Sequence, residues 1–133
     1  MATIFTRIVN GEIPCYKVAE DDKYLAFLDI NPLQEGHTLV IPKEEVNYIF
    51  DVEEELHAGL WNFARKVARG VEKVVDCKRI GVTVIGLEVP HAHIHLIPLK
   101  TMHDMDFRKP KLTFSHEQLL EMASKIEKAI NTL

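Results

Sequence analysis

The chain has 133 residues, 47% hydrophobic and 27% charged, with 16 Lys and Arg against 20 Asp and Glu for a net charge of −4. Such a composition predicts a soluble globular protein, and the length predicts a single domain over residues 1–133. The acidic balance excludes the basic face that duplex nucleic acid requires, and no apolar run approaches the ~20 residues that span a bilayer.

The opening residues, Met1 to Arg7, lack the basic-then-apolar pattern of a secretory leader. Cys15 and Cys77 fall in no metal-ligand spacing, which fits a reducing compartment. Both features predict a cytoplasmic protein. Ile4 to Val9 reads as one or two helical turns closed by Asn10-Gly11-Glu12-Ile13-Pro14. Tyr16 to Ala19 and Tyr24 to Leu28 flank the turn-rich Glu20-Asp21-Asp22-Lys23 and predict a hairpin. A third strand is expected at His37 to Ile41, its pairing ended by Pro42.

Leu56, Leu60, Phe63, Val67, Val71 and Val74 recur at helical intervals and share one face. Glu53 to Glu55 lead this long central helix and Lys66, Arg69 and Lys73 trail it, as the helix dipole favours. Trp61 lies off that face, either as part of a second apolar surface or as a lone exposed aromatic. Strands follow at Arg79 to Ile85 and Ala92 to Pro98. A C-terminal helix starts at Ser115, where Gln118 completes a capping box, and carries Leu119, Ala123, Ile126 and Ile130 inward. The order predicts an α+β fold, an antiparallel sheet of about five strands with helices packed on it.

Three of the seven histidines, His91, His93 and His95, alternate within Pro90 to Pro98. On a strand they share one face, about 6.6–6.8 Å apart, with Ala92, Ile94 and Leu96 facing the core. A polar row of that kind lines a groove or meets solvent. Three chemistries compete for it. It could be a solvent-facing polar strand, or a zinc site completed by His37, His103 or a carboxylate. In the third, a neutral imidazole attacks phosphorus while its neighbours hold the phosphate oxygens and leaving group.

His91-x-His93-x-His95-Leu-Ile resembles the motif of the histidine triad (HIT) nucleotide-binding proteins. Thr3 to Pro14, Leu25 to Pro32 and Gly36 to Lys43 resemble that family's opening, ribose-binding segment and third-strand signature, in order and spacing. The resemblance implies a HIT-like fold and a nucleotide hydrolase or transferase acting at the α-phosphate of nucleoside 5′-monophosphate derivatives. Phosphoramidates, acyl-adenylates and dinucleoside polyphosphates are the implied substrates, cleaved through a covalent histidine-nucleotidyl intermediate. His93 would be the nucleophile, His95 would bind the phosphate, His91 would orient its neighbours and His37 would support the triad. Asp29 would hold the ribose hydroxyls. Ile4, Phe5, Ile8, Phe27, Leu28 and Ile30 would form the apolar base slot, with Glu88 and Val89 beside the phosphate.

Gly86-Leu-Glu-Val89 departs from the family's Gly-Gln-Ser-Val, so Leu87 stands where a glutamine assists the leaving group and Glu88 stands in place of the serine. Thr83 stands near a position that is often asparagine. Thr3 and Thr6 replace the Cys-x-x-Cys of zinc-binding members, so no metal and no cofactor is expected. The Thr-Ile-Phe opening favours the phosphoramidase-like branch, and His95 disfavours the uridylyltransferase branch, which has glutamine there. A purine nucleotide or nucleotide conjugate is the implied ligand, and a homodimer through the central helix and an edge strand the implied assembly. The alternatives are a nucleotide-binding or scaffold protein with little turnover, which Leu87 favours, and a zinc-dependent hydrolase.

Overall fold

The computed structural model describes residues 2–133. In chain order it contains α1 (Ile4–Val9), β1 (Lys17–Glu20), β2 (Tyr24–Leu28), β3 (Thr38–Pro42), α2 (Glu54–Val74), β4 (Arg79–Thr83), β5 (Ile94–Leu99) and α3 (His116–Asn131). Single 3-10 turns occupy Ile49–Asp51 and Met102–Met105. The five strands form one sheet in the order β1-β2-β3-β5-β4, every neighbouring pair antiparallel. This is the α+β architecture that the element order predicts.

Local chemistry sets the element ends. The Asp21 carboxylate accepts from the backbone N–H of Lys23 and Tyr24, both at 2.8 Å, and so turns the chain between β1 and β2. Glu53 caps α2 by accepting from the N–H of Glu55 and Leu56. Ser115 and Gln118 cap α3 reciprocally, as their spacing predicts. Gly36 adopts φ 84° before β3, a conformation that disfavours any side chain, and Val75 and Pro98 crowd the space a Cβ would take.

Alternation along the strands divides the apolar residues between two cores. Tyr24, Ala26, Leu28, Val40, Ile94 and Leu96 pack with Leu60, Val67 and Val71 of α2 and Leu119, Ala123, Ile126 and Ile130 of α3. Leu25, Phe27, Leu39 and Ile41 face the other way and pack with Phe5 of α1. That smaller core, under a helix of six residues, is the floor beside which the histidines stand.

Most strand ends differ by a residue or two from the sequence expectation, and three of the differences bear on the site. Pro42 stays in the ladder opposite Tyr24, where its missing N–H costs nothing because its carbonyl is the group that is used. β4 ends at Thr83 rather than Ile85. β5 begins at Ile94, so only His95 of the three histidines lies in the ladder. The lead-in spends its backbone groups elsewhere: His91 N–H bonds Val89 O at 2.8 Å and Ala92 N–H bonds Val46 O at 2.7 Å. No helix among the described residues is long and apolar enough to cross a membrane.

Candidate functional site

His91, His93 and His95 point to the α1 side of the sheet, while Ala92, Ile94 and Leu96 join the helix-side core. The row does not meet solvent. His91, His93 and His95 are only 0%, 7% and 7% exposed, and His37 at the entry to β3 is 1% exposed. The rings of His93 and His95 lie 4.9 Å apart, closer than the axial repeat of a strand, because the side chains lean towards one another. Phe5 sets its ring edge-on to His93 at 5.0 Å, and Phe107 does the same to His95 at 5.0 Å.

Backbone groups that can play only one role assign the tautomers, directly for His37, His91 and His93 and through His37 for His95. Leu33 N–H donates to Nδ1 of His37 at 3.0 Å, so the His37 proton sits on Nε2. From there it donates to Nδ1 of His95 at 3.0 Å, which leaves His95 with an Nε2–H to offer. His93 donates from Nδ1 to the carbonyl of His91 at 2.7 Å, the tautomer that puts the lone pair of the neutral ring on Nε2. His91 donates from Nε2 to the carbonyl of Pro42 at 2.8 Å, and Thr3 Oγ1 donates to its Nδ1 at 3.1 Å. Thr6 holds the far side of this cluster by donating to Glu45 at 2.7 Å.

Burial disfavours the charged forms of His37, His91 and His95. It drives His37 down to about 3 and His95 down to about 4, and the neighbouring histidines and Lys111 push the same way. His91 is lowered by burial too, against the upward pull of the Pro42 carbonyl and Glu45. Asp29 is raised, again chiefly by burial, although Asn31 N–H donates to its Oδ1 at 2.8 Å. Its Oδ2 lies 3.7 Å from Nε2 of His37, but a neutral ring makes no ion pair there.

One atom each from Asp29, His37 and His95 lie within 4.8 Å of one another, which is compatible with a metal by distance alone. The donor chemistry does not fit. Leu33 N–H occupies Nδ1 of His37 and forces a proton onto Nε2, the atom that would have to bind the ion. His91 has both nitrogens engaged.

Phe5 and Phe27 are buried in the floor, and Ile8 and Val89 are half-buried against it. Ile4 and Ile30 are 49% and 63% exposed at its rim. Leu28 is a correction: period two turns it to the helix-side core, on the opposite face from Phe27, so it cannot share a slot with it. Glu88 is exposed, with its charge close enough to raise Asp29 further, and Leu87 is 87% exposed. Thr83 stands opposite His95 in the ladder, on the same face.

Two residues of this site were not singled out from the sequence, Phe107 and Lys111. The only signal was a lone aromatic in the charged stretch from Asp104 to Lys109. The segment is tied down by Leu112 N–H to Pro32 O at 2.8 Å and Lys109 to Gln34 at 3.0 Å. A separate cleft of about 310 Å³ opens behind Asp29 and His37, lined by Phe114, Leu119 and Met122 of the α3 side, and it reaches neither His93 nor His95.

Residues 10–102 match the HIT domain. The chain is 35% identical over 131 residues to an uncharacterized HIT-like protein of Borreliella burgdorferi, covering 92% of this chain and 94% of that one. It is 40% identical over 100 residues to an adenosine 5′-monophosphoramidase of Schizosaccharomyces pombe, covering 74% of each. Among solved structures, a Hit-like protein from Bartonella henselae superposes with a TM-score of 0.83 at 33% identity, covering 96% of this chain and 95% of that one.

Proposed function

The chain belongs to the HIT domain family, and from that premise we propose that it is a nucleotide hydrolase of the phosphoramidase kind. Its substrate would be an adenosine 5′-phosphoramidate or a related nucleoside monophosphate conjugate. The observation that carries the reading is the 2.7 Å bond from His93 Nδ1–H to the His91 carbonyl. In the neutral ring it puts the lone pair on Nε2 of His93, with the ring of His95, which carries an Nε2–H, 4.9 Å away.

In this reading Nε2 of His93 forms a bond to the α-phosphorus while the phosphorus–nitrogen bond of the substrate breaks. The departing nitrogen takes up a proton from solvent and leaves as an amine, and the water that attacks in the second step returns a proton to solvent. The ring becomes cationic, and the His91 carbonyl stabilises it through the Nδ1–H already in place. His95 donates from Nε2 to a phosphoryl oxygen, its orientation fixed by His37. Water then attacks the same phosphorus, the histidine leaves and the nucleoside monophosphate is released. Asp29 accepts from the ribose hydroxyls. Ile4 and Ile30, exposed beside Phe5, Phe27, Ile8 and Val89, cover the base; Leu28 has no part in it.

The S. pombe relative named as a monophosphoramidase supports this substrate class. A homodimer through α2 and the β4 edge would bury Trp61 and Val82, which are 37% and 48% exposed. The test is release of adenosine monophosphate from adenosine 5′-phosphoramidate, with acid-labile label trapped on the protein. Label retained by wild type and absent from His93→Asn supports the reading; turnover surviving in His93→Asn overturns it. A binding role with little turnover is the second reading. It is favoured by Leu87, which brings no polar group to the leaving-group loop, and the same assay decides it.

A further inference from the structure

A nucleoside phosphate carries negative charge into any site that binds it, and the inner residues here supply none of the opposite sign. His37 and His95 are buried rings whose partners hold them neutral, burial disfavours a charge on His91, and Asp29 is an acid. Burying an anion beside a carboxylate without a counter-charge is unfavourable. The cation must therefore come from the periphery.

Lys111 stands where such a cation is needed. Its ammonium lies 5.4 Å from the centroid of the Phe107 ring, and that ring is in edge contact with His95 at 5.0 Å and His37 at 6.4 Å. The ammonium donates once, to the Phe107 carbonyl at 2.8 Å, which holds it in place and leaves two N–H groups free. Among the described residues it is the one Lys or Arg whose charge bears on Asp29, His37 and His95 alike. The side chain is exposed, and its segment is pinned to the Asp29 loop through Leu112 and Lys109.

We propose that Lys111 binds the phosphoryl oxygens of the nucleotide, supplying the positive charge that the histidine cluster lacks. The inference rests on the nucleotide reading above and names the residue that recognises the anionic part of the ligand. Phe107 positions it, holding the ammonium through its carbonyl and carrying it on a ring packed against the phosphate-binding histidine.

Calorimetric titration of wild type, Lys111→Met and Lys111→Arg with adenosine monophosphate and with adenosine separates the possibilities. Lys111→Met should weaken adenosine monophosphate by about tenfold or more, the scale of a charge-assisted hydrogen bond. Adenosine, which lacks the phosphate, should bind all three proteins equally, and Lys111→Arg should restore most of the loss. Unchanged affinity for adenosine monophosphate in Lys111→Met overturns the inference and leaves the nucleotide reading standing. Equal loss for both ligands also overturns it, because that pattern marks a structural role. If wild type binds neither ligand, the nucleotide reading falls and this inference with it.

Discussion

His37 donates from Nε2 to Nδ1 of His95 across 3.0 Å, joining the entry of β3 to the start of β5 through two uncharged rings. The bond exists in this sense because Leu33 N–H has taken the other nitrogen of His37. Protonating either ring at Nδ1 would set two N–H groups against each other, at Leu33 for His37 and between the two rings for His95.

Stability should therefore depend on pH in a defined window. An unfolded histidine titrates near ~6.5, whereas folded His95 and His37 are held down at about 4 and about 3. Between those values the unfolded chain binds protons that the folded chain refuses. Stability is complete above pH ~6.5 and falls as the pH drops, by about 1.4 kcal/mol per pH unit for each such ring. Asp29, raised by burial, works in the opposite sense at the acid end. The melting temperature should fall steadily from pH 7 to pH 4.5, and His95→Gln should flatten the slope. A flat wild-type profile would contradict the neutral pair.

Replacing His93 by Asn should leave affinity for adenosine monophosphate intact and lower turnover by several orders of magnitude, the scale of losing a covalent catalyst. His91→Asn should behave differently. Its side chain is fully buried and its Nε2–H ties the lead-in to Pro42 O, so the cost falls on melting temperature first, by the equivalent of about 1–3 kcal/mol. Equal loss of turnover with unchanged stability at both positions would point away from a nucleophilic His93.

Thr3 and Thr6 surround Nδ1 of His91 with hydroxyl oxygens at 3.1 and 3.4 Å, and Glu45 closes the group at 2.7 Å from Thr6. Nε2 of His91 is already held by the Pro42 carbonyl, the arrangement that frees Nδ1 to ligate. The double change Thr3→Cys with Thr6→Cys should create a four-donor zinc site with Glu45 and His91. Elemental analysis should find one zinc per chain in the double variant, with a chelator-sensitive rise in melting temperature. Metal absent from the variant would show that the threonine geometry does not transfer to thiolates.

Gly59 of α2 lies against the Tyr24 hydroxyl, which donates to Leu56 O at 3.0 Å, and a Cβ there would run into that ring. Gly59→Ala should destabilise by about 1–3 kcal/mol, the cost of overpacking, despite the ~1 kcal/mol that alanine gains in a free helix. Adding Tyr24→Phe removes the obstructing oxygen and should recover part of the loss in denaturant melts. Additive losses in the double variant would place the strain elsewhere.

Local signals in the sequence determined the helices and most of the strands. The heptad-like spacing of Leu60, Val67 and Val71 and the Ser115–Gln118 box act within a few residues, so they are legible along the chain. The alternation of His91, His93 and His95 likewise assigned them one face, and the signatures around them carried the family. The same alternation, applied to Phe27 and Leu28, shows that only one of the two can line the floor. What the tertiary structure decided was where each proton sits and what closes the site. Those choices were made by Leu33 N–H, Pro42 O and His91 O, backbone groups that carry no residue-type signal. Phe107 and Lys111 came from a segment with no regular pattern, brought onto β5 by its contacts with Pro32 and Gln34. Hydrogen-bond roles depend on which groups meet across dozens of residues, and only chain folding sets that.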